Sequence, residues 1–343
     1  MDDKKVLFRI RDLKKYFPLK KRNPFQRETY NVRANENINL DIYEGETLGI
    51  VGESGCGKST LGRTILQLYK PTSGTVEYFG DPANSHKPVP LHQLSVDQLR
   101  KYRRDMQLIF QDPYSSLNPR MTVGQILTEG LKAHNMLDKD PKKNQEYILS
   151  VMEQCGLAPY FIHRYPHQFS GGQRQRIGIA RSVALNPKFI VADEPVSALD
   201  VSIQSQIINL LLDLKRDHGL TYMFISHDLS VIKYISDRVG VMYLGVVVEL
   251  AVTEDLYAFP LHPYTEALLS AIPTTDADHK REIRTLEGDI PSPINPPSGC
   301  KFHTRCKYAT EICKEVEPEL VELRPQHFVA CHHPLVDRKH ALF

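Results

Sequence analysis

The run Gly52-Glu53-Ser54-Gly55-Cys56-Gly57-Lys58-Ser59 has the spacing G-x-x-x-x-G-K-[ST]. Glycines so placed let successive backbone N–H groups turn toward a polyphosphate, and a helix starting at the lysine adds a favourable dipole. Lys58 would reach the β- and γ-phosphates, and the Ser59 hydroxyl, followed by Thr60, can ligate Mg²⁺. Cys56 fits the loop by its small size, with no thiol chemistry expected of it. A second element, Phe189-Ile190-Val191-Ala192-Asp193-Glu194, is an apolar run ending in two carboxylates. Asp193 suits the water shell of a Mg²⁺, and Glu194 suits the orientation or deprotonation of an attacking water. Ser170, ahead of Gly171-Gly172-Gln173-Arg174, is a good N-cap and predicts another anion-binding helix terminus.

These groups need a scaffold that delivers strand ends and helix starts to one edge, and the apolar patterning predicts it. Strand-like runs fall at 46–51, 189–193, 221–226 and 239–245. Helical patterns fall between them, from Lys58 to about Tyr69, Gly171 to Leu185 and Asp200 to about His218, the last with Ile203, Ile207, Leu210, Leu211 and Leu214 on one face. This alternation predicts an α/β fold with a largely parallel sheet, whose chemistry lies at the carboxyl ends of the strands. Residues from about 85 to 165 read as a mostly helical subdomain.

The chain has 343 residues, and its 43 basic and 41 acidic side chains leave a net charge of +2, which gives no global field favouring nucleic acid. The longest strongly apolar run, Val239 to Val248, is about half of what a membrane-spanning helix needs. The N-terminus lacks the apolar core of a secretory signal, so a cytosolic location is expected. Six cysteines are too few for a disulfide scaffold. Beyond Leu250 the texture changes: that stretch holds Cys300, Cys306, Cys313 and Cys331, and its PSPINPPSG run at 291–299 is expected to stay extended. A separate, loop-rich module is expected from about Phe259.

Ser-Gly-Gly-Gln at 170–173, the Asp193-Glu194 strand end and the earlier phosphate loop together resemble the ATP-binding subunit of an ABC transporter. That resemblance implies a P-loop NTPase of the ABC ATPase type, a RecA-like core with antiparallel β and helical subdomains. Further positions match individually. Gln111, in Ile109-Phe110-Gln111-Asp112-Pro113, resembles the Q-loop, which senses Mg²⁺ and nucleotide and links to the membrane subunit. Ser197-Ala198-Leu199-Asp200 resembles the D-loop, and His227 the switch histidine that holds the γ-phosphate and water. Tyr16 resembles the aromatic that stacks on adenine, with Phe17 and Tyr30 as neighbouring alternatives. In this family two subunits sandwich two ATP molecules head to tail, so Ser170, Gly171, Gly172, Gln173 and Asp200 would complete the partner's site in trans. Glu194 would be the base.

Several stretches are similar to the F-type ATPase of oligopeptide and dipeptide importers: VGESGCGKST at 51–60, FQDPYSSLNP at 110–119, RYPHQFSGGQRQR at 164–176, ADEPVSALDV at 192–201 and LHPYTEALLSAIP at 261–273, continued by GDIPSPINPPSGC at 288–300. The resemblance implies an ATPase domain at 1–258 and an importer-type tail at 259–343. It also implies a peripheral place on the cytoplasmic face of the membrane, two permease subunits, an extracytoplasmic peptide-binding protein and a second ATPase chain of D type. Nickel chelates, haem or oligosaccharides are alternative cargoes. A non-transport ABC ATPase is the rival class, although the segment between Gln111 and Ser170 is too short for a long coiled-coil insertion, and no N-K-x-D sequence supports a GTPase.

The tail cysteines have the spacing C-x5-C-x6-C-x17-C, which is not the C-x2-C of a zinc ribbon. Three readings stay open: free thiols, a Zn²⁺ site with four cysteines or with a histidine in place of one, and a [4Fe–4S] cluster. The importer resemblance favours the cluster, with a structural or docking role. Lys20-Lys21-Arg22 with Arg27 reads as a solvated loop in preference to a lipid-facing patch, and Cys155 as buried packing.

Overall fold

The computed structural model describes residues 4–19, 30–84, 87–272, 286 and 288–336. The basic run at 20–27 lies outside the described residues. In chain order the strands are β1 (Val6–Pro18), β2 (Asn31–Tyr43), β3 (Thr47–Val51), β4 (Ser73–Tyr78), β5 (Val89–Pro90), β6 (Met106–Ile109), β7 (Phe189–Asp193), β8 (Thr221–Ile225), β9 (Arg238–Tyr243), β10 (Val246–Val252), β11 (Val321–Arg324) and β12 (His327–Val329). The helices are α1 (Lys58–Ile65), α2 (Val96–Arg103), α3 (Val123–Ala133), α4 (Pro141–Gln154), α5 (Gly171–Val183), α6 (Val201–His218), α7 (Leu229–Ile235), α8 (Thr253–Ala258), α9 (Pro263–Ser270) and α10 (Glu311–Glu315). They form two compact units, one of residues 1–5, 43–46 and 93–225, the other of residues 6–42, 47–92 and 226–343.

In the first unit, β6, β7 and β8 run parallel, with Met106 opposite Phe189 and Asp193 opposite Ile225. Every residue of β7 and β8 is buried, the pattern of a parallel sheet covered on both faces. Around it stand α2 to α6. Helix α5 starts where the sequence predicts, because Ser170 and Gln173 form a reciprocal capping box. Thr122 and Gln125 do the same for α3. Helix α6 buries Ile207, Ile208, Leu210, Leu211 and Leu214, whereas Ile203, expected on that face, is half-buried. Cys155 caps the C-terminus of α4 and is buried, as its apolar surroundings require.

The second unit contains the antiparallel sheet β2-β1-β4-β5. Alongside this sheet, β3 pairs parallel with β9, β9 antiparallel with β10, β10 with β12, and β12 with β11. Helix α1 ends at Ile65, earlier than the apolar pattern predicts, and Gln67 then takes a left-handed conformation that turns the chain away.

The tail is more integrated than its composition suggests. Helix α9 is buried along most of its length. Strand β12 extends β10 by placing Val329 opposite Glu249 and Phe328 opposite Leu250. At that seam Glu249 and His327, both essentially inaccessible, meet at 2.7 Å. Glu249 also accepts the backbone N–H of Leu261 at 2.6 Å and of His262 at 2.9 Å. A short proline-rich segment has too little apolar surface for a core of its own, so it folds onto an existing sheet edge. The run at 291–299 is not uniformly extended: it turns at 293–295, and the Pro293 carbonyl accepts from the N–H of Arg33 at 3.0 Å.

Candidate ATP site

The phosphate loop joins β3 to α1. Gly52 (φ +147°) and Gly57 (φ +105°) are confined to glycine by backbone shape and by space, since a Cβ would come within 2.2 Å of the Met242 carbonyl at one and 2.0 Å of the Ala34 carbonyl at the other. The loop is pinned to its surroundings by its carbonyls. Gly245 donates its N–H to Cys56 at 2.9 Å, and Asn35 donates its side-chain amide to Gly57 at 3.1 Å. Buried Lys58 donates its ammonium to the carbonyls of Gly52 (2.7 Å) and Glu53 (3.0 Å). Neutral carbonyls are weaker partners for an ammonium than phosphate oxygens, so the lysine can exchange them for a polyphosphate. Ser54 and Gly55 are exposed, and Ser59 and Thr60 half-buried. The Cys56 thiol is buried, which raises its pKa despite the nearby Lys58 charge and suits a space-filling role.

Glu53 has partners in the tail. Its N–H donates to the Tyr264 hydroxyl at 2.9 Å, and its carboxylate accepts both Arg305 Nη1 (2.7 Å) and Nη2 (3.1 Å). Nothing local in the sequence indicates Tyr264 or Arg305 as partners of the loop; only the nearness of Arg305 to Cys306 marks it out.

Tyr16 is held at its hydroxyl. Its hydroxyl donates to Glu36, which in turn accepts the Lys14 ammonium at 2.8 Å, and the Arg33 guanidinium lies 5.9 Å from the ring centroid. Partial burial and the Glu36 carboxylate push its pKa up to about 12. One face of the ring thus has a cation near it. Of the two alternatives, Phe17 stacks edge-on against Tyr69 at 5.4 Å, and Tyr30 is exposed. His227 is exposed, two residues beyond β8.

In the other unit, Asp193 is buried at the end of β7, and Glu194 immediately takes a left-handed conformation (φ +48°). For a non-glycine residue that conformation costs of order 1 kcal/mol. It is held by the Glu194 N–H donating to Ile225 at 3.0 Å, and by the Ser197 hydroxyl donating to the Glu194 carbonyl at 3.1 Å. The turn brings the Glu194 carboxylate to the Gln111 side chain, whose Nε2 donates to Oε2 at 2.8 Å. The sequence places both residues at a nucleotide site but does not indicate that they touch. Ser170 and Gly171 are exposed at the start of α5, with Gly172 half-buried. The Ser170 hydroxyl and the Gln173 amide are occupied by each other's backbone N–H groups, at 3.3 and 3.1 Å. The amides at 171 and 172 remain the helix's anion-facing groups. Asp200 stands exposed as the N-cap of α6, without a side-chain capping bond.

The cysteine quartet lies in the tail. Cys300 and Cys313 are buried and linked through the Cys300 N–H to the Cys313 carbonyl at 2.8 Å; Cys306 and Cys331 are half-buried. Burial, and then the neighbouring cysteines, push the thiol of Cys300 up to about 11 and that of Cys331 up to about 12. Among the described residues, however, no three or more His, Cys, Asp or Glu side chains are placed to hold a metal ion. The side-chain arrangement does not fit a metal or cluster as it stands, and the expectation of one is not met by the geometry.

Comparison with known proteins agrees with the loop and strand geometry. Residues 35–197 match the family described as ABC transporter, and residues 248–313 match the family described as oligopeptide/dipeptide transporter, C-terminal region. The chain is 53% identical to the oligopeptide transport ATP-binding protein AppF of Bacillus subtilis (strain 168), over 96% of this chain and 98% of that protein. It is 50% identical to the oligopeptide transport ATP-binding protein OppF of Salmonella typhimurium, over 96% and 97% respectively. A dimeric ATP-binding cassette solved in a post-hydrolysis state with ADP and phosphate superposes with a TM-score of 0.61 at 30% identity, covering 72% of this chain and 99% of that one. The chain is an ATP-hydrolysing subunit, and it belongs to the ABC transporter family, among ATP-binding subunits that carry the oligopeptide/dipeptide transporter C-terminal region.

Proposed function

We propose that this chain hydrolyses ATP to power the import of di- and oligopeptides. The observation that carries the reading is the near full-length similarity to two oligopeptide transport ATP-binding proteins, extending through the tail as well as the ATPase part. The functional division follows it, with the ATPase at 1–258 and the importer-type tail at 259–343. No helix among the described residues is long and apolar enough to cross a membrane. By that similarity the subunit would act from the cytoplasmic face, docked on two permease subunits that take cargo from an extracytoplasmic peptide-binding protein.

In the proposed mechanism the amides of the phosphate loop and the ammonium of Lys58 hold the β- and γ-phosphates. The Ser59 hydroxyl, the Asp193 carboxylate and the Gln111 side chain offer the hard oxygen donors that suit Mg²⁺. That ion, when bound, offsets charge on the phosphate oxygens. Glu194, oriented by Gln111, takes a proton from water as the water oxygen bonds to the γ-phosphorus and the bond to the ADP oxygen breaks. His227 steadies the γ-phosphate and the water. A second ATPase chain, of D type, would complete the site with its own counterparts of Ser170, Gly171, Gly172, Gln173 and Asp200, while Tyr16 supports the adenine. The dimeric relative with bound ADP and phosphate supports two such subunits acting together.

Co-expression with the permeases, binding protein and second ATPase from the same gene neighbourhood, followed by reconstitution, tests this. Peptide-stimulated ATP hydrolysis and uptake of labelled peptide are expected; stimulation by nickel chelate or oligosaccharide, with none by peptide, would overturn the cargo. For the quartet, we infer a structural [4Fe–4S] centre from the importer resemblance alone, since no group of described side chains is placed to hold one as it stands. It requires the side chains to close in around it. Anaerobic purification should yield about one iron–sulfur cluster per chain; zinc or no metal would decide for the other readings.

A further inference from the structure

We propose that Arg305 and Tyr264 are positioning residues of the phosphate loop, so that the tail sets the affinity of the ATPase for its nucleotide. Glu53 is held at all three of its polar groups. Its N–H goes to the Tyr264 hydroxyl (2.9 Å), its carbonyl accepts from Lys58 (3.0 Å) and its carboxylate receives both terminal nitrogens of Arg305. Two of these three ties come from beyond residue 259. The Arg305 side chain is only 5% exposed against 23% for Glu53, so the pair is largely shielded from water and salt.

The surroundings keep the pair in place. Phe302 packs against Tyr243 (5.2 Å between centroids) and Tyr264 (5.4 Å), and those two tyrosines meet at 4.8 Å. The turn His303–Arg305 closes with the Arg305 N–H on the Phe302 carbonyl at 3.0 Å. The same aromatic cluster therefore orients the hydroxyl that takes the Glu53 amide and the guanidinium that takes its carboxylate.

Charge explains why such a brace matters. A free carboxylate in the second position of a loop that receives a polyphosphate would repel it. Bidentate pairing with Arg305 neutralises that carboxylate and draws it toward the tail. The buried Tyr264 hydroxyl accepts the Glu53 amide, which fixes the peptide plane whose carbonyl meets Lys58. This role does not depend on which cargo is transported.

The test uses the full chain, measuring Mg-ATP affinity and steady-state hydrolysis. R305Q should raise the ATP Kd and KM about tenfold while kcat changes less than about twofold. Adding E53Q to R305Q should recover most of the affinity, because the unpaired carboxylate is gone; R305K should be intermediate, since a single ammonium cannot reproduce the fork. Y264F keeps the ring packing and removes one hydroxyl, and should weaken ATP binding about threefold; it provides an arm that does not depend on R305Q folding. An unchanged Kd in R305Q or in Y264F would overturn the proposal, as would a double variant that binds no better than R305Q.

Discussion

Replacing Glu249 by alanine should loosen the tail from β10, and the loss can be worked out from the contacts. The carboxylate accepts three buried donors or partners: the Leu261 N–H (2.6 Å), the His262 N–H (2.9 Å) and His327 Nε2 (2.7 Å). Each group left without a partner away from water costs about 1–2 kcal/mol, which makes a total of about 3–6 kcal/mol before any relaxation. That is a large share of the ~5–15 kcal/mol by which domains are stable. E249Q retains one oxygen acceptor and the side-chain volume, so it should lose less than half as much. Denaturant titration of both variants gives the totals. Hydrogen exchange then locates the change, with the amides of β12 and of residues 261–262 becoming unprotected before those of β3 and β9. A loss below about 1 kcal/mol in E249A, or uniform deprotection across the unit, would refute the view that this carboxylate ties the tail to the sheet.

E194Q should abolish turnover while ATP still binds, because the amide can keep the Gln111 contact but cannot take a proton; substantial residual hydrolysis would remove Glu194 from the role of base. Q111A should lower kcat about 10- to 100-fold with a smaller change in ATP affinity, a split read directly from steady-state kinetics. His262 is fully buried, and burial holds its pKa down to about 4 against an ordinary 6.5. The unfolded chain therefore takes up a proton that the folded one refuses, and stability present above pH 6.5 is lost as pH falls toward 4, by about 3 kcal/mol in all. H262N offers a side-chain oxygen for the Tyr264 N–H and should flatten that part of the stability profile; an unchanged profile would show that other groups cause it.

The site was legible in parts that depend on neighbours in the chain. The phosphate loop, the Ser170 cap of α5 and the apolar strands β3, β7 and β8 lie within one or two residues of their expected limits, because glycine conformations, capping side chains and runs of buried residues act locally. The apolar pattern predicts a longer α1 because Leu66 continues it, whereas Gln67 turns left-handed and ends the helix. The tail was expected to be loop-rich because prolines and cysteines dominate its composition. Its short strands carry too little pattern to reveal that β12 completes an edge begun at β10.

By itself the sequence determined where a phosphate-type loop joins a strand to a helix, which carboxylates terminate a later strand and which serine caps the start of α5. Each follows from residue types a few positions apart. Tertiary structure alone decided that Gln111 orients Glu194, 83 residues away, and that Arg305 holds Glu53 across 252 residues. Such pairings depend on which buried faces pack together, and packing is set by the summed apolar surface of whole elements. No residue type announces its distant partner; the hydrogen bonds then form where packing has brought complementary charges within reach.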